Sequence, residues 1–326
     1  MAYTTIDDPS LYFTSKLYTS TYSSGGGTGA TINVTLDATD DFAVDLVWIK
    51  CRSVGDNHLI ADRVRGANKN LHSNTADAET TNTDEVTAFG DDGFTVGNND
   101  TVNRDGASSP YVAWCWKASG STAANTNGTN ITSTVDANTT SGFSIVSWTG
   151  DNSGSSTVGH GLGKTAEFVN IKNRTDGSDW QTKHKDMQSN SINEINNDSA
   201  PSNRVGSTNG GIADLSGTTT FGFIAGSAGV PSANGDSDAM IAYVWNSVQG
   251  FSKFGSYEGN GNADGAFIYT GFRPAFLMVK ATSTTSAWYI YDNKRAGYNV
   301  ENYQLYPDRS NAEDTTDQVD LLSNGF

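Results

Sequence analysis

One phrase decides how this chain folds, because the sequence repeats it: Gly142-Phe143-Ser144-Ile145-Val146-Ser147-Trp148-Thr149-Gly150. Related phrases stand at Tyr12-Phe13-Thr14-Ser15-Lys16-Leu17-Tyr18-Thr19 and at Gly250-Phe251-Ser252-Lys253-Phe254-Gly255-Ser256-Tyr257. Each is followed by an apolar run that ends in a lysine, at Lys50, Lys172 and Lys280. These lysines lie roughly 120 and 110 residues apart, which is the length of a domain rather than the roughly 20–50 residues of a solenoid repeat. The sequence therefore predicts three similar modules in tandem.

The composition predicts an all-β protein. The 326 residues include 35 glycines, and short runs of Val, Ile, Phe, Tyr and Trp alternate with polar turns and show almost no helical periodicity. Each module is long enough to bury its own core. We expect tandem antiparallel β-sandwiches of jelly-roll or lectin-like topology, since alternating apolar residues need a second sheet to cover them.

Net charge excludes some partners. The formal charge is −16, without a basic cluster, so a nucleic-acid partner is not expected. The sequence contains no apolar run of the roughly 18 residues that a membrane helix needs, and its first residues do not resemble a secretory signal. We therefore expect neither membrane insertion nor secretion, but assembly in a cytoplasm.

The module boundaries follow from the repeats. The first module spans residues 1–118, a Thr- and Asn-rich linker spans 119–141, the second module spans 142–248 and the third spans 249–326. The first two modules close with matching aromatic strands, at 111–117 and 240–246. The third ends at a phrase that corresponds to residues 88–94, about two strands short of this pattern. Either the natural protein is longer, which we favour, or another subunit supplies the missing strands by donor-strand pairing.

Cysteines and metal ligands give weak signals. Cys51 and Cys115 are expected to be two reduced, partly buried thiols. A disulfide between them is the alternative, and it requires their strands to be neighbours. The four histidines are scattered, without the spacing of a zinc site. Calcium is the one metal considered, because aspartates in loops supply the hard oxygen ligands it prefers. Its weak candidate ligands are Asp176, Asp179, Asp236 and Asp238.

No pattern predicts catalysis. The sequence has no nucleophile elbow, phosphate loop or zinc-protease helix, and its paired aspartates read as turn residues that bond the local backbone. A non-enzymatic protein without a cofactor is therefore expected. Aromatic side chains beside polar loops are good binding anchors, although they are equally typical of strands. The speculative receptor contacts are Trp180, Trp288, Tyr298, Tyr303 and Tyr306.

Several phrases resemble a known group of proteins. They include Thr4-Thr5-Ile6-Asp7-Asp8-Pro9, Leu46-Val47-Trp48-Ile49-Lys50, Tyr111-Val112-Ala113-Trp114-Cys115-Trp116-Lys117 and Trp288-Tyr289-Ile290-Tyr291-Asp292-Asn293-Lys294-Arg295. Together they look like predicted structural proteins of tailed bacteriophages, many of them marine, and the third module resembles the uncharacterised C-terminal domain of that group. The resemblance extends over nearly the whole chain.

The resemblance implies a virion component in a tail fibre or another surface appendage, which contributes to host attachment. It implies no catalytic residues. Its expected partners are other copies of the chain, with a trimer favoured for a fibre, other virion proteins, and a glycan or protein on the host surface. The alternatives are a capsid or neck decoration protein without receptor binding, and a tail enzyme that degrades polysaccharide, which would need two carboxylates converging in a groove.

Overall fold

A computed structural model describes residues 4–21, 31–37, 42–104, 108–316 and 319–326. Strands dominate it and form antiparallel sheets in each module, which confirms the all-β prediction. The helical elements are short: a 3-10 turn at Pro9–Leu11, α1 at Asp100–Asn103 and α2 at Pro231–Asn234. No helix among the described ranges is both long and apolar enough to cross a bilayer.

The first module is a two-sheet sandwich. Its strands are β1 (Phe13–Thr19), β2 (Ile32–Thr35), β3 (Leu46–Cys51), β4 (Leu59–Asp62), β5 (Lys69–Asn70), β6 (Thr80–Thr81), β7 (Val86–Phe89), β8 (Gly93–Val96) and β9 (Pro110–Trp116). The main sheet has the order β1-β9-β3-β4, and the facing sheet has the order β2-β8-β7. Alternate residues of both sheets meet in one buried cluster, as period-two strands require. In this module the predicted sandwich therefore has a main sheet and a smaller covering sheet.

The second module repeats this plan. Its strands are β10 (Ala123–Asn125), β11 (Ser133–Asn138), β12 (Phe143–Thr149), β13 (Thr157–Gly159), β14 (Phe168–Asn173), β15 (Gln181–His184), β16 (Ser191–Ile192), β17 (Ser202–Asn203), β18 (Gly211–Ile212), β19 (Thr220–Ile224) and β20 (Ala239–Trp245). The main sheet has the order β10-β11-β12-β20-β14-β15, and β13-β19-β18 covers it. The closing strand β20 lies between β12 and β14, as β9 lies between β1 and β3.

The segment 119–141, predicted as a linker, instead supplies two strands of the second module. β11 pairs with β12, and β10 pairs with β11. Val135 and Ile131 enter the core, while Asp136 accepts the backbone N–H of Ser119 at 2.7 Å. The polar composition concealed these strands, because they add to the edge of a sheet and bury only a few apolar side chains.

The third module contains β21 (Phe276–Lys280) and β22 (Trp288–Asp292), which form a two-stranded sheet. On its other side β22 pairs at one point, where Ile290 and Leu305 exchange two backbone hydrogen bonds. Part of a covering sheet is also present. Phe326 and Ile268 exchange two backbone hydrogen bonds, just as Phe94 lies opposite Val34 in the first module. Gly325 and Gly93 precede these phenylalanines, and a Cβ at either glycine would collide with the carbonyl oxygen of Ile268 or Val34. The opening phrase at 251–257 forms no extended strand here.

The lysines that mark the repeat are structural. Lys50 Nζ donates to the carbonyls of Cys51 and Val54 at 2.6 and 3.1 Å. Lys172 donates in the same way to Asn173 and Asp176, at 2.7 and 3.2 Å. Burial lowers the pKa of Lys50 and of Lys172 to about 8. Each lysine thus ties down the loop after its strand from inside the protein.

The two cysteines are free and buried. Their strands β3 and β9 are neighbours, but Cys115 lies opposite Val47 and Cys51 lies opposite Tyr111. That offset separates the sulfurs along the ladder, so the prediction of two reduced thiols is confirmed.

Candidate functional site

The main sheets are buried on both faces. One face of each belongs to the core of its own sandwich, and the other belongs to a third cluster that all three modules share. The first module contributes Trp48 and Trp114 to this cluster, the second contributes Trp180 and Tyr243, and the third contributes Trp288. The modules are therefore fused around a common core rather than linked as separate beads.

Three equivalent side chains connect the modules in a circle. They are His58, Trp180 and Trp288. In its hairpin, each of them directly precedes the residue that pairs with the apolar residue before the repeat lysine, which is Ile49, Ile171 or Val279. Trp180 Nε1 donates to the carbonyl of His72 at 2.9 Å, from the second module to the first. Trp288 Nε1 donates to the carbonyl of Glu194 at 3.2 Å, from the third module to the second.

The first module completes the circle through His58. This side chain faces the backbone of Tyr306 in the third module, although its Nε2 makes no hydrogen bond of standard length and angle. Its Nδ1 accepts the indole N–H of Trp48 at 2.8 Å, which places the proton on Nε2. Burial holds the pKa of His58 well below its usual value, against the opposing effect of the Tyr306 backbone. Because these three side chains occupy equivalent positions and each faces the backbone of the preceding module, the modules have a pseudo-threefold arrangement that closes.

A buried aspartate–arginine pair recurs at two corners of this arrangement. In the first module Arg65 forms an ion pair with Asp62, and in the third module Arg295 forms one with Asp292, both with three-residue spacing and fully buried side chains. Each aspartate also accepts a hydrogen bond from the closing strand of the next module. Tyr243 Oη donates to Asp62 at 2.8 Å, and Trp114 Nε1 donates to Asp292 at 2.9 Å.

A second ion pair reinforces each of these corners. Glu79 binds Arg65 and also accepts two hydrogen bonds from Arg174 of the second module, at 2.8 and 2.9 Å. Glu313 binds Arg295 and accepts two from Arg52 of the first module, at 3.0 and 2.8 Å. Such bidentate pairs fix orientation as well as charge. The two corners are therefore built on one plan.

The third corner, between the third and second modules, lacks this plan. In the first and third modules the aspartate lies opposite the first residue of the lysine-ended strand: Asp62 lies opposite Leu46, and Asp292 lies opposite Phe276. In the second module His184 has this position, opposite Phe168. Three residues later, Met187 stands where the other modules have arginine. No closing strand from the third module reaches His184 within the described ranges, because β21 has β22 as its only partner.

A large cavity occupies this corner. Its volume is about 1570 Å³, and it is lined by all of β21, by His184, Tyr243 and Trp245 of the second module, and by Trp48 and Trp116 of the first. Typical small-molecule pockets measure about 300–1,000 Å³, so this cavity is larger than one drug-sized ligand requires. The opening segment 251–257 and β21 both line the cavity. In the other modules the closing strand lies between the counterparts of these two segments.

The cavity wall is aromatic, with one titratable ring. Phe276 lies 5.7 Å from Trp116 and 5.6 Å from Phe13 between ring centres, and Phe254 stacks on Phe168 at 5.8 Å. His184 Nδ1 accepts the N–H of Asp186 at 3.1 Å, which leaves the proton of the neutral ring on Nε2. Burial lowers the pKa of His184, with Asp186 opposing the shift. The cavity therefore offers a hydrogen-bond donor within an apolar surface.

Of the residues predicted to contact a receptor, three are buried. Trp180, Trp288 and Tyr306 are at most 8% exposed. The two tryptophans connect modules as described above, and the Tyr306 hydroxyl donates to Asp314. The two tryptophans are core residues because the modules share a core that local sequence does not reveal. Tyr298 is 40% exposed and Tyr303 is half-buried, so a receptor contact stays a prediction for these two.

The four aspartates proposed for calcium lie in two surface loops, 176–179 and 236–238. Asp179 accepts the side-chain amide of Asn196 at 2.7 Å, and Asp238 accepts that of Asn173 at 2.7 Å. Asp176 and Asp236 are exposed. No group of three or more His, Cys, Asp or Glu side chains within the described ranges is arranged to hold a metal. Two of these carboxylates thus connect their loops to segments 17 and 65 residues away in the sequence.

Sequence reasoning missed the corners of the arrangement. The signal was present in the shared Asp-x-x-Arg spacing of Asp62 with Arg65 and of Asp292 with Arg295, and in its replacement by His184 and Met187 in the second module. Residues 8–326 match a protein family described as a domain of unknown function, DUF7483. No curated protein and no solved structure matches the chain.

Proposed function

This chain belongs to the DUF7483 family, and we propose that it is a non-enzymatic structural component of a bacteriophage particle. Its place is a tail fibre or another surface appendage, where it contributes to host attachment. The resemblance of its repeated phrases to structural proteins of tailed phages supports this proposal, as does the absence of a catalytic motif in its sequence.

The observation that carries the proposal is the closure of three modules around one core. Two corners combine a buried arginine with two carboxylates and an aromatic donor from the next module. Removing either arginine leaves a buried carboxylate without its cation, which is costly, so the modules are held in one relative orientation. A rigid body of pseudo-threefold form is suited to an axial position in a fibre, and surface turns on each module remain available for contacts.

Tyr298 is the aromatic side chain that best suits a contact with a host surface. It is 40% exposed, its ring lies 4.5 Å from the guanidinium carbon of Arg273, and Val300 beside it is 49% exposed. An exposed tyrosine next to a cation and an apolar side chain can bind glycans or proteins. This patch is where the proposal places a receptor contact.

Self-association is also part of the proposal. The proposed state is a homotrimer, in which three pseudo-threefold bodies associate. The alternative is a monomer, because a single chain already supplies three modules around one axis. Sedimentation equilibrium distinguishes the two, because the monomer has a mass of 34.5 kDa and a trimer has three times that mass. The proposal of a trimer predicts the larger mass at micromolar concentration, and a constant monomer mass would rule it out.

The experiment that tests the proposed function is cryo-electron microscopy of purified phage particles that carry the chain, labelled with an antibody fragment against it. Label at the distal tail supports the proposal, whereas label on the capsid lattice or neck replaces it with decoration. Incubation of the purified protein with host polysaccharide, with heat-unfolded protein as control, tests the enzymatic alternative. Release of new reducing ends would overturn the non-enzymatic assignment.

A further inference from the structure

Glu85, which directly precedes β7, is a buried carboxylate without a basic partner. It is 5% exposed, and within the described ranges no cation forms an ion pair with it or contributes to the shift of its pKa. The corner carboxylates Asp62 and Asp292 are also buried, but each pairs with an arginine three residues later. A buried carboxylate without a cation is costly. A cation bound at Glu85 therefore offsets a cost that the neighbouring side chains leave uncompensated.

Side-chain amides surround this carboxylate. Those of Asn82 and Asn70 face it, and Asn82 Oδ1 is already bonded to the N–H of Asp84 at 2.9 Å. Asn70 is fully buried, and neither its amide oxygen nor its amide nitrogen makes a hydrogen bond of standard length and angle. The same is true of Glu85 Oε2, which is also buried. Asn70 can therefore turn its amide oxygen toward an ion at Glu85 without breaking a standard hydrogen bond.

Two more amide oxygens lie on the segments that flank Glu85. Consecutive carbonyls of an extended chain point to opposite sides. The carbonyl of Glu85 accepts the N–H of Gly97 at 2.8 Å on one side, and that of Val86 accepts the N–H of Asn68 at 2.8 Å on the other. Asn98 directly follows Gly97. The Oδ1 atoms of Asn68 and Asn98 are both buried and make no hydrogen bond of standard geometry.

One carboxylate together with amide oxygens is a ligand set that suits calcium. Calcium binds about six to eight oxygen atoms from carboxylates, amides and water, in flexible geometry, whereas magnesium demands a near-ideal octahedron and gives up its water reluctantly. Zinc is bound mainly by nitrogen and sulfur. A buried water molecule can hydrogen-bond to such oxygens, but it brings no charge to the carboxylate. We propose that Glu85, Asn70, Asn68 and Asn98 are ligands of one calcium ion, with water completing its coordination.

The site lies close to the protein surface. Thr83 and Asp84, which directly precede Glu85, are both exposed, and Asn68 and Asn98 are half-buried as whole residues. The exposed carboxylate of Asp84 raises the local concentration of cations. An ion from the solvent thus has a short path to these oxygen atoms.

Calcium at this position braces the hairpin of β5 and β6. Asn70 ends β5 and lies opposite Thr80 of β6. Glu79, directly before Thr80, forms an ion pair with Arg174 of the second module at 2.8 Å. An ion that joins Asn70 to Glu85 therefore holds the hairpin that presents Glu79 to the second module. The expected consequence is a corner between the first and second modules that calcium stabilises.

Titration of the 326-residue protein with calcium chloride, followed by amide NMR shifts at constant ionic strength, tests the location. Saturable shifts are expected at residues 68–70, 84–86 and 97–98, with a Kd of roughly 0.1–1 mM because the site has a single carboxylate. Magnesium should shift these amides less. Calcium shifts confined to other surface loops, such as 176–179 and 236–238, would overturn the proposal. So would the absence of saturable shifts at about 10 mM calcium, which would leave buried water as the only partner of these oxygens.

Two substitutions change the charge of the site in opposite directions. Glu85→Gln removes the carboxylate and should weaken calcium binding at least about tenfold, whereas Asn70→Asp adds a second carboxylate and should tighten it about tenfold. The matched control replaces the exposed Asp176 and Asp236 by asparagine, which removes two surface charges away from the site and should leave the titration unchanged. Equal calcium binding by Glu85→Gln and the wild type, or a loss of binding in the control, would overturn the proposal.

Thermal unfolding with and without calcium gives a second readout. In EDTA, Glu85→Gln should unfold at a higher temperature than the wild type, because its buried side chain carries no charge, and Asn70→Asp should unfold at a lower one. A saturating amount of calcium should raise the Tm of the wild type and raise that of Asn70→Asp more, while the Tm of Glu85→Gln stays unchanged. The same calcium response in all three proteins would overturn the proposal. None of these outcomes depends on whether the chain belongs to a virion.

Discussion

The ion pair at the corner between the first and second modules gives the sharpest prediction. Arg65 is fully buried within the first module, and its guanidinium binds Asp62, Glu79, the carbonyls of Ile60 and Lys69, and the hydroxyl of Tyr243. Substitution Arg65→Met keeps most of the apolar stem and removes all of these donors. Asp62 then remains buried, with hydrogen bonds from Tyr243 and a backbone N–H but no cation.

Breaking a buried pair by removing one partner costs about 3–5 kcal/mol. That is a large fraction of the roughly 5–15 kcal/mol that stabilises a typical domain. Urea unfolding followed by tryptophan fluorescence should therefore show a markedly lower midpoint with a similar slope. The same cost is expected for Arg295→Met, whose corner has the same plan.

The matched control is Asp198→Asn. Asp198 pairs with Arg309 at 3.2 Å between the second and third modules, and both side chains are more than 40% exposed. Arg309 itself is kept, because it also approaches the buried carboxylate of Asp308 at 3.5 Å and the ring of Tyr306. Exposed pairs contribute about 0–1 kcal/mol, so Asp198→Asn should change the midpoint little. If Arg65→Met and Asp198→Asn cost the same, the buried corners do not hold the modules together as described.

Three further predictions concern single positions. Burial raises the pKa of Glu85 to about 7, so the folded state binds the proton more tightly than the unfolded state. The stabilisation from this bound proton is lost as the pH rises toward and through 7. Relative to the wild type, Glu85→Gln should therefore gain about 1–3 kcal/mol of unfolding free energy between pH 5 and pH 8, measured by urea titration. Trp180→Ala should lower the unfolding free energy by about 3–5 kcal/mol because the ring is in the core, whereas Tyr298→Ala should change it by no more than about 0.5 kcal/mol. Similar losses for the two variants in thermal unfolding would contradict the burial of Trp180 and the exposure of Tyr298. Cys51 and Cys115 should react with a thiol reagent only after unfolding, since both are buried and burial raises the pKa of Cys115; fast reaction of the native protein would contradict their burial.

Much of the module plan is readable from the sequence. The repeated phrases predicted β1, β12 and the lysine-ended strands, and the aromatic pattern predicted the closing strands β9 and β20. These predictions hold because each strand carries its own period-two pattern and its own turn residues. The third copy of the opening phrase, at Phe251, forms no extended strand, and within the described residues no closing strand pairs with it.

The arrangement of the modules was not predicted. Leu46-Val47-Trp48-Ile49 is apolar at every position, which indicates a strand buried on both faces rather than one facing solvent. That signal could have shown that a second core exists, but not which module covers it. Contacts such as Trp180 with His72 join residues 108 positions apart, and their geometry depends on how whole modules are rotated, which no local pattern encodes.

The central claim is that the three modules close around one core on a shared plan, and amide hydrogen exchange tests it most directly. Trp48 and Lys50 of β3 pair with β9, and Asn170 and Lys172 of β14 pair with β20, whereas within the described residues β21 pairs with β22 alone. The account predicts slow exchange at these four amides and at Leu277 and Val279, and fast exchange at Met278 and Lys280. Slow exchange along all of β21, or fast exchange at the four amides, would contradict the account.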